Sequence, residues 1–163
     1  MTSRRRFLET GALMAAGAVL VGEVPLVGQK APDRGPRLED ELVREFVIAG
    51  HGNKEKTGQL LDRQPAVINA TWDWGGGDWE TALGGASHVG SREVAELLLS
   101  KGARMDVFCA AMLGKIEIVK AFLADDPKVV DLKGPHGISL LRHAQAGKQD
   151  AVVELLTAKG AKA

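Results

Sequence analysis

The sequence predicts an all-α fold: about four helix–turn–helix units stacked over residues 39–163, preceded by an apolar amino-terminal helix and a linker. Three observations predict it. Four segments align on a glycine, GNKEKTGQLL from Gly52, GSREVAELLL from Gly90, GKIEIVKAFL from Gly114 and GKQDAVVELL from Gly147; each carries an apolar pair eight and nine residues on, Leu60 and Leu61, Leu98 and Leu99, Phe122 and Leu123, Leu155 and Leu156. Upstream of each glycine lies a second short helical pattern, in order LVREFVIA, TALGGASH, DVFCAAML and SLLRHAQA. Composition agrees, since 45% of residues are hydrophobic while there is no tyrosine and only four phenylalanines. That points to a core of leucine, valine, isoleucine and alanine between small close-packed helices, not to a sheet sandwich.

At the amino terminus, MTSRRRFLETGALMAAGAVLVG opens with three arginines and then runs uncharged from Thr10 to Gly22. A charged start followed by a short apolar run is the pattern of an export signal, expected over residues 1–23. Thirteen helical residues reach only about 20 Å, short of a hydrocarbon core of roughly 30 Å, so a membrane span is not expected. Within it SRRRFLE, Ser3 to Glu9, resembles the twin-arginine translocation motif, with Arg4 and Arg5 as the pair and Phe7 and Leu8 as the apolar residues; Glu9 stands where lysine is usual. An ordinary secretory signal with a basic start is the alternative, but the Gly- and Ala-rich apolar run favours the twin-arginine reading. Either route places the mature protein in the periplasm or outside the cell, or holds it at the membrane through an uncleaved signal. VPLVGQKAPDRGPR, Val24 to Arg37, has three prolines and no periodicity, so residues 24–38 read as a flexible linker.

The repeat units occupy about 39–72, 73–104, 105–134 and 135–163. Ala86, Ser87, Ala110, Ala111 and Ala144 are small enough to let paired helices approach closely, and the leucine pairs fill the space between neighbouring units. No unit can bury its apolar face alone, so stacking must make the core. The first and third units end LLDRQPAVIN and FLADDPKVVD, each with proline four residues after the last leucine (Pro65, Pro127) and Asn69 or Asp131 four further on. Proline there stops the second helix.

These units resemble the ankyrin repeat. Thr81 to Ala103 carries the resemblance through Thr81, Leu83, Ala86, Gly90, Val94, Leu98, Leu99, Gly102 and Ala103. The last unit carries it through Gly137, Ser139, Leu141, Ala144, Gly147, Leu155, Leu156, Gly160 and Ala161, with its central glycine one residue early. The resemblance covers about residues 39–163 and implies a stack of helix pairs with loops projecting from one edge, the edge by which such proteins commonly grip partners.

Ankyrin units repeat every 33 residues, whereas the aligned glycines are 38, 24 and 33 apart. The nine residues missing between units two and three remove the projecting hairpin there, leaving Asp106 as helix cap. The five added between units one and two fall in NATWDWGGGDWET, which holds all three tryptophans. Gly75, Gly76 and Gly77 permit positive φ and a sharp reversal, and Asp73 and Asp78 can satisfy turn amides. Trp72 and Trp79, nearest the stack, are expected to pack beneath the loop; Trp74, at the tip, is expected to be the exposed anchor, since tryptophan is enriched at interface hot spots.

Chemistry is less evident. Of the 21 basic and 21 acidic residues, six and three lie in the first 38, leaving 15 against 18; such a surface offers no footprint for nucleic acid. One cysteine, Cys109, can make neither an internal disulfide nor a metal cluster. His51, His88, His136 and His143 fall in different units without HxxxH or CxxC spacing, so they read as polar turn residues and one helix histidine, and no metal or cofactor is expected. GASHVG has its second glycine too late for a nucleophile elbow and sits in a helix; KTG at Lys56 to Gly58 has no SxxK partner; GHGNKEKTG lacks the end of a phosphate loop. No catalytic residues emerge. The expected function is therefore that of a monomeric, non-enzymatic scaffold binding another extracytoplasmic protein through Trp72, Asp73, Trp74, Asp78 and Trp79. Saccharide or small-molecule binding on the tryptophan loop, or stabilisation of an exported enzyme as its immunity factor, are the alternatives.

Overall fold

A computed structural model of the protein describes residues 34–162; the expected signal, with Arg4, Arg5, Phe7 and Leu8, and most of the linker lie outside them. The described chain is mostly helical: α1 (Asp40–Gly50), α2 (Lys54–Arg63), β1 (Thr71–Asp73), β2 (Trp79–Thr81), α3 (Ala82–Val89), α4 (Arg92–Ser100), α5 (Val107–Met112), α6 (Ile116–Asp125), α7 (Leu140–Ala146) and α8 (Asp150–Ala158). No helix among the described residues is long and apolar enough to cross a membrane.

Helices pack in sequential pairs, α1 with α2, α3 with α4, α5 with α6 and α7 with α8. Across pairs, α1 meets α3, α3 meets α5 and α5 meets α7, while α2 meets α4 and α6 meets α8. The core forms in two clusters. One gathers Phe46, Leu60, Leu98 and Met112 and the other Val119, Leu140 and Leu156, with Met105 packed against both. Each aligned apolar pair contributes at least one buried residue, but Phe122 is exposed beside buried Leu123. Adjacent helical residues point about 100° apart, so α6 buries only one of its pair, whereas α2 buries both Leu60 and Leu61.

Local chemistry sets the boundaries. Asp106 accepts the Cys109 N–H at 2.7 Å and caps α5, as its position predicts. Thr81 caps α3 through the Gly84 N–H and Ser139 caps α7 through the Arg142 N–H. Pro65 and Pro127 lie just past the ends of α2 and α6, and each opens a short 3-10 helix (Pro65–Asn69 and Pro127–Asp131) that buries Val67 or Val129. Asn69 then accepts the Arg104 N–H at 2.8 Å, tying this turn to the chain after α4.

The residues between α4 and α5 run without a hairpin, as the short spacing predicts. The turn Pro135–Gly137 packs against α3. A Lys133–Ser139 bridge closes this loop at its base. Two segments far apart in sequence, the tryptophan loop and the 133–139 loop, are thereby brought to one rim.

Candidate functional site at the hairpin rim

The tryptophan stretch, expected as a projecting loop with a sharp reversal at its glycines, is a β-hairpin. β1 and β2 pair antiparallel with Thr71 opposite Thr81, Trp72 opposite Glu80 and Asp73 opposite Trp79. The tip closes with the Trp74 N–H on the Asp78 carbonyl at 2.9 Å, and Gly75, Gly76 and Gly77 all take positive φ, as expected. Asp73 accepts the Gly75 N–H at 2.8 Å, the turn role predicted for it.

Strand alternation decides the fate of the tryptophans. Residues directly opposite share a face, so Trp72 and Glu80 point one way and Trp79 the other. Trp72 packs against the core as expected. Trp79 does not: it is 59% exposed, because its neighbour Glu80 takes the inward position. It lines, with Trp72, Leu38 and Val43, a groove of about 400 Å³ between the hairpin and α1. Trp74 is 37% exposed but is no free anchor. Its indole N–H donates to Glu80 Oε2 at 2.8 Å, and its ring lies 5.9 Å from that of His136.

The inward face holds a polar cluster that the sequence reading dispersed. Glu80 is 1% exposed. His51, at the end of α1, and His88, near the end of α3, both reach it, and so does His136 from the Pro135–Gly137 turn. His88 Nε2 lies 2.9 Å from Glu80 Oε1 and 3.1 Å from His51 Nε2. His51 Nε2 and His136 Nε2 are each 3.5 Å from Glu80 Oε2. His51 Nδ1 donates to the Val47 carbonyl at 3.0 Å, and Gly85 makes room for this ring, since a Cβ there would stand 2.8 Å from it.

Asp78 departs from its expected role as well. It accepts the His136 N–H at 2.8 Å on one oxygen and pairs with His136 Nδ1 at 2.7 Å on the other. His136 sits at φ 58, a left-handed conformation rare outside glycine, which directs both groups at the one carboxylate. The His136 N–H hydrogen bond, with the ring's hydrogen bond and charge, holds the Asp78 carboxyl below its ordinary range. For Glu80, burial pushes the carboxyl up, but hydrogen bonds from His88 and Trp74 and the nearby His51 and His88 outweigh it and keep the group low. His143 is not among these groups: it is buried in α7, donating from Nδ1 to the Ser139 carbonyl and packed on Phe108, with its ring edge-on to that of His88; burial pushes its pKa below the ordinary histidine range.

His51, Glu80, His88 and His136 each offer one ligand atom, and all four lie within 4.8 Å of one another. Chemically this set can bind a proton, an acidic hydrogen-bond donor or a soft-to-borderline cation. Sequence reasoning missed it because it sought ligands at short spacing on one element. A signal was present, however. His51 and His88 stand one and two residues before the aligned glycines of successive units, and equivalent positions of neighbouring repeats are neighbours in a stack. No protein-family model matches this chain, and no curated protein matches it.

Proposed function

We propose that the protein is an ankyrin-like repeat protein, exported across the cytoplasmic membrane, that binds another extracytoplasmic protein through the hairpin rim. The observation that carries this reading is Trp79, 59% exposed on a strand whose inner neighbour is buried. An exposed indole offers a large apolar area for a partner to cover, and tryptophan is enriched at interface hot spots. The hairpin's inner face is tied by Glu80, Asp78 and Trp74. The outer face is therefore presented without much ordering left to lose on docking. The groove beside it mixes the apolar side chains of Leu38, Val43 and Trp72 with the charges of Arg37, Asp40 and Asp73, and so offers a partner both apolar contact and hydrogen-bonding groups.

The test replaces Trp79 with a photo-crosslinking phenylalanine derivative in the producing cell. One dominant protein adduct, formed in the envelope fraction and absent when the same group replaces exposed Phe122, is the expected result. Saturable quenching of the tryptophan fluorescence by saccharides, with no protein adduct, would replace this reading with carbohydrate binding. An adduct formed only in the cytoplasm would remove the export half of the proposal.

A further inference from the structure

We infer that the inner face of the hairpin rim is a binding site for a single divalent transition metal of the zinc type, held by His51, Glu80, His88 and His136. This goes beyond the partner-binding reading and does not depend on it.

Distances come first. A tetrahedral zinc site with bonds of about 2.0–2.1 Å to nitrogen and oxygen has ligand–ligand edges of roughly 3.3 Å. Four donor–donor separations, taken to one or the other Glu80 oxygen, bracket that value: 2.9 Å from His88 Nε2 to Glu80 Oε1, 3.1 Å from His88 Nε2 to His51 Nε2, and 3.5 Å from both His51 Nε2 and His136 Nε2 to Glu80 Oε2; the whole set lies within 4.8 Å, so its wider pairs draw in when an ion binds. Four ligand atoms gathered within 4.8 Å leave room for one ion and little else.

Orientation comes second. A ligating histidine ordinarily donates its other ring N–H to a carbonyl or carboxylate, which fixes the tautomer and aims the lone pair. Both forms occur here, His51 Nδ1 on the Val47 carbonyl and His136 Nδ1 on Asp78 Oδ2. In their neutral forms these two rings therefore turn Nε2 lone pairs toward Glu80 and His88. A single proton can lie between only one of the facing pairs, such as His51 with His88, whereas a divalent cation satisfies all four groups together. Trp74 extends the outer layer by donating to the Glu80 carboxylate.

Donor type and access select the metal. Three imidazoles and one carboxylate without a thiolate suit zinc and its cobalt and nickel neighbours, and are too nitrogen-rich for magnesium or calcium. The rings of His51 and His136 are about one-third exposed, so an ion can reach the site from solvent. Once there it would clasp the end of α1, β2, α3 and the 133–139 loop together. Asp78 is a positioning residue in this scheme, acting through His136.

The experiment uses tag-free, chelator-stripped full-length protein titrated with Co²⁺ and Zn²⁺. Wild type is expected to take up one equivalent of cobalt with the visible absorption of a tetrahedral nitrogen–oxygen site, which zinc displaces, and to melt at a higher temperature as metal is added. His88→Ala and Glu80→Gln are each expected to weaken binding at least tenfold with unchanged far-ultraviolet circular dichroism. Asp78→Asn is expected to weaken it about 10–100-fold. Wild type that binds neither ion near stoichiometry overturns the proposal whatever the variants do. So does tight binding that survives in the His88→Ala and Glu80→Gln variants.

Discussion

Cys109 illustrates how far a single side chain is governed by its surroundings. It lies on α5, fully buried, with its N–H held by Asp106. Burial pushes its thiol up to about 11, opposed by the neighbouring Ser87 hydroxyl and reinforced by the Asp106 charge. The thiolate is the reactive form, so at pH 8 almost none of it exists and what exists is screened from reagent. Native protein is therefore expected not to react with a disulfide-exchange reagent at pH 8 over an hour, and to release one equivalent of thiol once denatured. Rapid labelling of the folded protein would mean that α5 opens. The same scale separates the histidines: His143 and His88 sit on comparable helices, yet one ends against Phe108 and the other against Glu80.

At the scale of elements, most of the fold was legible. The glycine alignment and the apolar pairs locate the helix pairs, Asp106 its cap, and Pro65 and Pro127 the ends of α2 and α6, because each acts through local backbone chemistry. The inward cluster was not legible, since His51, Glu80, His88 and His136 are joined only by stacking and by strand alternation, and neither is a property of a short window. Trp79 was misplaced for the same reason: which of two adjacent strand residues turns inward is decided by what waits there. The turn of the last unit shows local and tertiary demands competing. Gly90 and Gly114 take φ of +75 at their turns, but in the fourth unit the glycine comes early, and Lys148 takes the left-handed position at φ 55. Gly147 is fixed where it is, because a Cβ there would stand 1.9 Å from the Met112 carbonyl oxygen. A residue with a Cβ loses roughly 1–2 kcal/mol in left-handed backbone, and glycine's extra freedom in the unfolded chain returns about 0.4–1 kcal/mol of that. Lys148→Gly is thus expected to stabilise the protein by roughly 0.5–1 kcal/mol in urea unfolding, and Gly147→Ala to destabilise it. A Lys148→Gly variant no more stable than wild type would mean that the turn relaxes without cost.

For the whole molecule, the short third unit has the largest consequence. In a simple linear stack each unit touches only its neighbours, and damage at one end stays local. Here no hairpin stands between α4 and α5, and the 133–139 loop closes over the gap onto α3 and the hairpin. Asp78 ties that loop to the hairpin, accepting both the N–H and the ring of His136 across 58 residues of sequence. The second helix pair thus meets the fourth twice, through this loop and through direct packing of α3 on α7. Asp78→Ala removes the acceptor of the His136 amide without touching any helix core, so the far-ultraviolet circular dichroism is expected to stay as it is. The His136 amide should then exchange with deuterium at least tenfold faster, because breaking a tertiary bond opens a loop to solvent before it opens a helix. Amides of α4 and α8, which lie outside this contact, should keep their wild-type rates. Unchanged protection at His136 would mean that Asp78 does not hold the loop, its place being fixed by the Glu80 and Trp74 contacts of His136 and by the Lys133–Ser139 bridge.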